Sequence, residues 1–207
     1  MNISLILIFN LILSFSLTKI FIKPFKKLIP DVPNKRSSHN IIKARGGGLA
    51  FILTNLIASN IFDDVNFLFL LPLCLVGLAD DFLNISRWFR FFIQLTTSIF
   101  ILFNSSYFIL IQSNNNFIIE FFLITLIIFV TTGIINFCNF MDGIDGILSG
   151  SILTICFFAS FLLSNPLWGL IGSLMGFIIW NWQPSKIFMG DVGSNFIGGV
   201  LIWIFLN

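Results

Sequence analysis

Apolar runs of about twenty residues, separated by short polar segments, are the feature that most restricts this chain. A helix advances about 1.5 Å per residue, so crossing a bilayer takes about 20 apolar residues, within a range of about 17–25. Such runs lie at about 2–22, 46–62, 65–82, 90–111, 117–138, 147–163, 166–182 and 192–206. Lipid offers backbone groups no hydrogen bonds, so runs of this length must close their own as helices. The pattern predicts an all-α, polytopic membrane bundle of about eight transmembrane helices in a single domain, 1–207. Gly198 and Gly199 lie inside the last run, which admits a shorter or re-entrant segment there. Charged residues make up 10% of the chain, against about 25% in a soluble domain. The first run has no basic segment before it, and Lys19, Lys23, Lys26 and Lys27 follow, so it reads as a retained helix and not a removable signal. Cys74, Cys138 and Cys156 lie in or beside apolar runs without metal spacing and read as small buried hydrophobes.

The charges divide by loop. All 11 basic residues fall at the end of the first run or in the segments after the first, third and seventh. With eight alternating spans these segments share one side, and Asp63, Asp64 and Glu120 lie on the other. The positive-inside rule makes the basic side cytoplasmic and places both termini outside. No long basic stripe with interleaved aromatics exists, which excludes nucleic acid as a partner.

On the basic side the same parity places three acidic clusters: Asp80–Asp81 in VGLADDF, Asp142 and Asp145 in NFCNFMDGIDG, and Asp191 in FMGDVGS. Acids at membrane depth cost about 2.5–3.5 kcal/mol to insert and mark functional sites by default. Adjacent carboxylates repel, so Asp80 and Asp81 favour a divalent cation, a basic neighbour or a shared proton, although a pair of acids can also simply end a helix. Arg87 and Arg90 fit equally as snorkelling anchors or as phosphate binders. Asn136, Asn139, Asp142 and Asp145 recur every three residues and form one stripe. Gly143 and Gly146 argue for a helix end there. Asp191 reads as a helix cap by itself and as a hard-cation ligand opposite the other acids. The first cytoplasmic loop, DVPNKRSSHNIIKARGGG, contributes Arg45, His39 and three glycines, a combination suited to a polyanion. Acids for a metal and bases for phosphate on one membrane face point to phosphoryl transfer involving a lipid.

Four ordered motifs, DVPNKRSSH…ARGGG, GLADDF, NFCNFMDGIDG and FMGDVGS, cover about residues 31–194. In them the chain resembles the polyprenyl-phosphate N-acetylhexosamine-1-phosphate transferases, within the glycosyltransferase 4 group. The resemblance implies transfer of a sugar-1-phosphate from a UDP-sugar to undecaprenyl or another polyprenyl phosphate, with Mg²⁺, or Mn²⁺ in its place. It implies Asp80, Asp81 and Asp191 as catalytic residues, with Asp191 and Asp81 at the metal. Asn136, Asn139, Asp142, Asp145, Phe188, Arg45, Arg90 and His39 are implied at the substrates, with Phe188 stacking on uracil. The site would face the cytoplasm of a cell (inner) membrane and initiate surface polysaccharide synthesis; a homo-oligomer or downstream glycosyltransferases are the expected partners. The first loop resembles the branch using simple N-acetylhexosamines more than the muramoyl-pentapeptide branch. Members of the family continue past FMGDVGS through further spans and a histidine-rich loop, whereas His39 is the only histidine here. The alternative is a split or truncated non-catalytic membrane subunit. A transporter would spread its acids through the bilayer depth, not gather them at one face.

Overall fold

A computed structural model describes residues 2–33, 40–62, 64–113 and 116–207. His39 and Asp63 therefore lie outside the described residues. The long elements are α1 (Ile3–Leu28), α2 (Gly48–Phe62), α3 (Leu71–Leu83), α4 (Arg87–Phe103), α5 (Ser106–Gln112), α6 (Phe117–Met141), α7 (Ile147–Ala159), α8 (Trp168–Asn181) and α9 (Gly190–Leu206). A 3₁₀ turn, Leu68–Leu70, leads into α3, and two short strands, β1 (Pro30–Asp31) and β2 (Lys43–Ala44), pair antiparallel.

The chain is a membrane helical bundle. By length and composition α1 and α6 are each apolar enough to cross a bilayer, and α2, α7, α8 and α9 are shorter apolar helices. Each predicted span contains a helix, with two differences. The first helix extends past position 22 to Leu28, through Pro24. The expected continuous span 90–111 is instead α4 and α5, bent by 72°. The break falls at Asn104–Ser105, where Ser105 Oγ accepts from Phe108 N at 3.3 Å and starts a new helix. The last run forms one continuous helix; Gly198 and Gly199 give it close approach to neighbours, since a Cβ at Gly198 would lie 2.7 Å from Ile135 Cα and one at Gly199 2.8 Å from a Leu70 methyl.

Local sequence explains the remaining boundaries. Ser86 caps α4 by accepting from Phe89 N, and Asn116 caps α6 by accepting from Ile118 N and Ile119 N. Asn84 ends α3 in a left-handed conformation, φ 50°. Helix α9 stands at the centre, packed against α2, α3, α4, α6 and α7 and buried over nearly its whole length. Helix α1 packs along α8 and α2. A Cβ at Gly176 would overlap the Leu11 carbonyl oxygen, so these two backbones nearly touch.

Two groups of loops collect at opposite ends. At one end Ala44 bridges Ile187 in parallel, Phe188 N donates to Ala44 O at 2.8 Å, and Gly47 N and Gly48 N donate to Phe188 O and Met189 O. This stitches the segment after α1 to the segment before α9. At the other end Asp64 Oδ2 accepts from Gly169 N at 2.7 Å, fastening the loop after α2 to the start of α8. Cys74, Cys138 and Cys156 are free thiols in the interior, as expected.

Candidate active site

The stitched end of the bundle holds the acids. Helix α3 carries Asp80 and Asp81 at its last turn, α9 carries Asp191 at its first, and the segment before α2 brings in Arg45. Arg45 Nε lies 2.8 Å from Asp81 Oδ1, and its Nη2 lies 2.9 Å from Asp191 Oδ1. From α4, Arg90 Nη1 pairs with Asp80 Oδ2 and lies 3.4 Å from Asp191 Oδ2. Asn139 Nδ2 donates to Asp191 Oδ1 at 3.0 Å. Residues separated by more than 100 positions thus form one network.

Two guanidiniums face three carboxylates here, with Asp142 a fourth acid at the same helix start, so acids outnumber bases in a partly buried setting. Buried charges must be paired to be tolerated, and the surplus suits a cation. Arg45 shows the pairing: burial acts against its charged form, yet the carboxylates of Asp191 and Asp81 raise its pKa above the ordinary value. Among the described residues no three His, Cys, Asp or Glu side chains are arranged to enclose a metal alone. The donor set fits Mg²⁺, which takes one or two carboxylates and completes its shell from water and substrate phosphate. Asp191, 10% exposed, and Asp80, 8% exposed, are within reach of such an ion. The Asp81 side chain is fully buried, and backbone N–H groups and Arg45 hold both its oxygens.

The stripe expected at 136, 139, 142 and 145 divides because α6 ends at Met141. Asn136 stays in the helix and donates to Gln94 Oε1 at 3.0 Å. Asn139 reaches Asp191. Asp142, past the helix, accepts from Gly190 N at 2.9 Å. Asp145 turns to a separate cluster: Lys43 Nζ lies 3.0 Å from its Oδ2, Ser185 Oγ donates to its Oδ1 at 2.7 Å, and Ser185 N donates at 3.1 Å. Burial works to raise the Asp145 pKa, but the Ser185 and Lys43 donors outweigh it and hold the carboxyl below its usual range. Lys43 Nζ also donates to Ser185 Oγ at 2.7 Å and sits 4.8 Å from the centroid of the Phe188 ring. Phe188 and Asp145 are therefore linked through the Lys43 ammonium.

Lys43, Ser185 and Gln94 carry contacts that sequence reading did not single out. Lys43 is one of two lysines in its basic loop, and only its partners, about 100 and 140 positions away, distinguish it. Gln94 carried a usable signal as an amide within an apolar run; it joins Asn136 to Asn195, donating to Asn195 Oδ1 at 3.3 Å. Arg87, Trp88, Arg90, Phe91 and Asn136 line a cavity of about 240 Å³ beside the acids.

Residues 65–207 match the family model described as Glycosyl transferase family 4. An undecaprenyl-phosphate alpha-N-acetylglucosaminyl 1-phosphate transferase of Thermotoga maritima is 33% identical over 191 residues, 92% of this chain and 61% of that protein. A phospho-N-acetylmuramoyl-pentapeptide-transferase of Caldanaerobacter subterraneus is 32% identical over 187 residues, 77% of this chain and 59% of that one. A probable undecaprenyl-phosphate N-acetylglucosaminyl 1-phosphate transferase of Bacillus subtilis is 30% identical over 206 residues, 88% and 58% of the respective chains. The chain spans about three fifths of the length of these curated relatives.

Proposed function

The chain belongs to glycosyl transferase family 4, and on that premise we propose that it transfers an N-acetylhexosamine-1-phosphate from a UDP-sugar to a polyprenyl phosphate such as undecaprenyl phosphate. An oxygen of the lipid phosphate attacks the sugar-bearing phosphorus of the donor. A new phosphorus–oxygen bond forms, the bond to UMP breaks, and the products are polyprenyl-diphospho-sugar and UMP.

The observation that carries this reading is the convergence of Asp80, Asp191, Asn139, Arg45 and Arg90 at one end of a membrane bundle. Phosphoryl transfer needs little covalent help from the protein; positioning and neutralisation of charge supply most of the acceleration. Asp80 orients the lipid phosphate and accepts its proton when the monoanion binds. Arg45 and Arg90 exchange part of their carboxylate contacts for phosphate oxygens, which the planar guanidinium fits well. Asn139 offers an amide to the diphosphate. Asp191, with Asp80 next to it, would hold Mg²⁺, or Mn²⁺ in its place. When bound, the ion neutralises the charge developing on the diphosphate oxygens. Phe188 and Asp145 supply an aromatic face and an acceptor for the nucleobase.

Two of the relatives named above carry undecaprenyl phosphate in their names, which supports that acceptor class; relatives of both kinds match at similar identity, so they do not distinguish the sugar. The loop motif DVPNKRSSH…ARGGG favours a simple N-acetylhexosamine. In this reading the basic loops face the cytoplasm and the product initiates a surface polysaccharide. The deciding experiment incubates membranes containing the chain with undecaprenyl phosphate and a panel of radiolabelled UDP-sugars, then extracts the lipid. Label from UDP-N-acetylglucosamine or a related N-acetylhexosamine donor is expected in the lipid phase. Label from no donor above the empty-membrane level contradicts the proposal.

A further inference from the structure

A helix begins with backbone N–H groups that its own carbonyls cannot satisfy, and in α9 two carboxylates from distant elements take the first three. Asp142 Oδ2 accepts from Gly190 N at 2.9 Å. Asp81 Oδ1 accepts from Asp191 N at 3.0 Å, and Asp81 Oδ2 from Val192 N at 3.1 Å. Asp81 Oδ1 also meets Arg45 Nε at 2.8 Å. A carboxylate offers about four lone-pair positions, and three of those on Asp81 are filled by protein donors. Its side chain is 0% exposed, whereas Asp80 and Asp191 keep 8% and 10%.

The backbone is shaped for this arrangement. Gly190 has φ +79°, and a Cβ there would lie 2.6 Å from Asp81 Oδ2 and 2.6 Å from Gly46 N. One turn before Asp81, a Cβ at Gly77 would overlap the Asp191 carbonyl oxygen. Helices α3 and α9 therefore approach closely enough at this point for Asp81 to reach the first turn of α9.

We propose that Asp81 and Asp142 are positioning residues: they lock the first turn of α9 and, with Arg45, aim the Asp191 carboxylate, while neither touches substrate or metal. The catalytic role of Asp191 in this statement rests on the transferase reading above. The adjacent pair is then divided, with Asp80 toward the open side and Asp81 toward the protein. A helix N-terminus is ordinarily a place for an anion. Here the protein's own carboxylates fill it, so the anionic diphosphate falls to Arg45 and Arg90.

The test compares Asp81→Asn, Asp142→Asn and Asp80→Asn in the full chain, embedded in lipid nanodiscs, by residue-resolved amide hydrogen exchange without substrate. Asparagine keeps the volume but replaces one acceptor oxygen by an N–H donor. Exchange at Asp191 and Val192 is expected to rise about tenfold or more in Asp81→Asn, and at Gly190 in Asp142→Asn, with neither change in Asp80→Asn. In UMP-release kinetics, Asp81→Asn is expected to lose at least about tenfold in kcat with the KM for UDP-N-acetylglucosamine within about twofold. Exchange at Asp191 and Val192 within about twofold of wild type in Asp81→Asn overturns the proposal. So does an activity loss recovered by about tenfold more Mg²⁺, the behaviour of a lost metal ligand. If wild type releases no UMP but the exchange pattern appears, the cap stands and the transferase reading falls. If Asp81→Asn gives no monodisperse protein, Asp142→Asn carries the same decision at Gly190.

Discussion

Lys43 shows how a single side chain can join three loops. Its side chain is 7% exposed, and its ammonium contacts Asp145 and Ser185 and lies over Phe188. Removing one partner of such a pair leaves the other charge uncompensated. Lys43→Met is expected to destabilise the protein by about 3 kcal/mol, read as a lower melting temperature. Lys43→Met with Asp145→Asn should recover part of the loss, because no lone charge remains. A pH dependence follows from the same cluster. The Asp145 pKa is depressed on folding, so its stabilisation is fully present above the unfolded value of about 3.9 and is lost as pH falls through the lower folded value. Melting curves from about pH 6 to pH 3 should show wild type losing more stability than Asp145→Asn; parallel curves contradict the assignment. The acids and arginines of this site were legible in the sequence because charge is rare in so apolar a chain. Their partners were not. Asp81 and Asp191 have the same composition signal, and only the backbone donors around Asp81 separate a fully buried cap from a carboxylate that keeps some exposure.

Helix pairing in lipid depends on close backbone approach more than on burial of apolar area. At α1–α8 a Cβ on Gly176 would overlap the Leu11 carbonyl, and one on Gly172 would lie 2.7 Å from Leu7 O. Gly150 has its nearest neighbours at 3.7 and 3.8 Å. Gly176→Leu is therefore expected to cost about 1–3 kcal/mol or more by overpacking, while Gly150→Ala should be neutral or stabilising by up to about 1 kcal/mol. Thermal melting in the same detergent checks both, and equal melting temperatures for the two variants contradict the packing account. At this scale the helices were readable from runs of hydrophobicity. The 72° bend between α4 and α5 was not, because a hydropathy average gives little weight to one Asn–Ser pair. The division of the 136–145 stripe was hidden for a related reason: periodicity shows which residues share a face only while the helix lasts, and α6 stops at Met141.

The whole molecule sorts its loops into two ends, and the site exists only because the segments after α1, α3, α6 and α8 share one of them. Parity and basic residues made that grouping readable in advance; the central place of α9, which joins the acids to the rest of the bundle, follows from packing and was not. Placing the two ends on opposite sides of a membrane predicts a labelling pattern. In a background with Cys74, Cys138 and Cys156 replaced by alanine, Ser164→Cys should react with a membrane-impermeant maleimide in intact cells, and Gln183→Cys only after permeabilisation. Both positions are exposed; equal labelling of the two in intact cells contradicts the placement. The most direct test of the central claim is UMP release by membranes carrying the wild-type chain or Asp191→Asn, given UDP-N-acetylglucosamine, undecaprenyl phosphate and Mg²⁺. The wild type should release UMP in a Mg²⁺-dependent manner, and Asp191→Asn should fall by at least about 100-fold. Equal release from both, or release from wild type indifferent to chelation of Mg²⁺, contradicts the account.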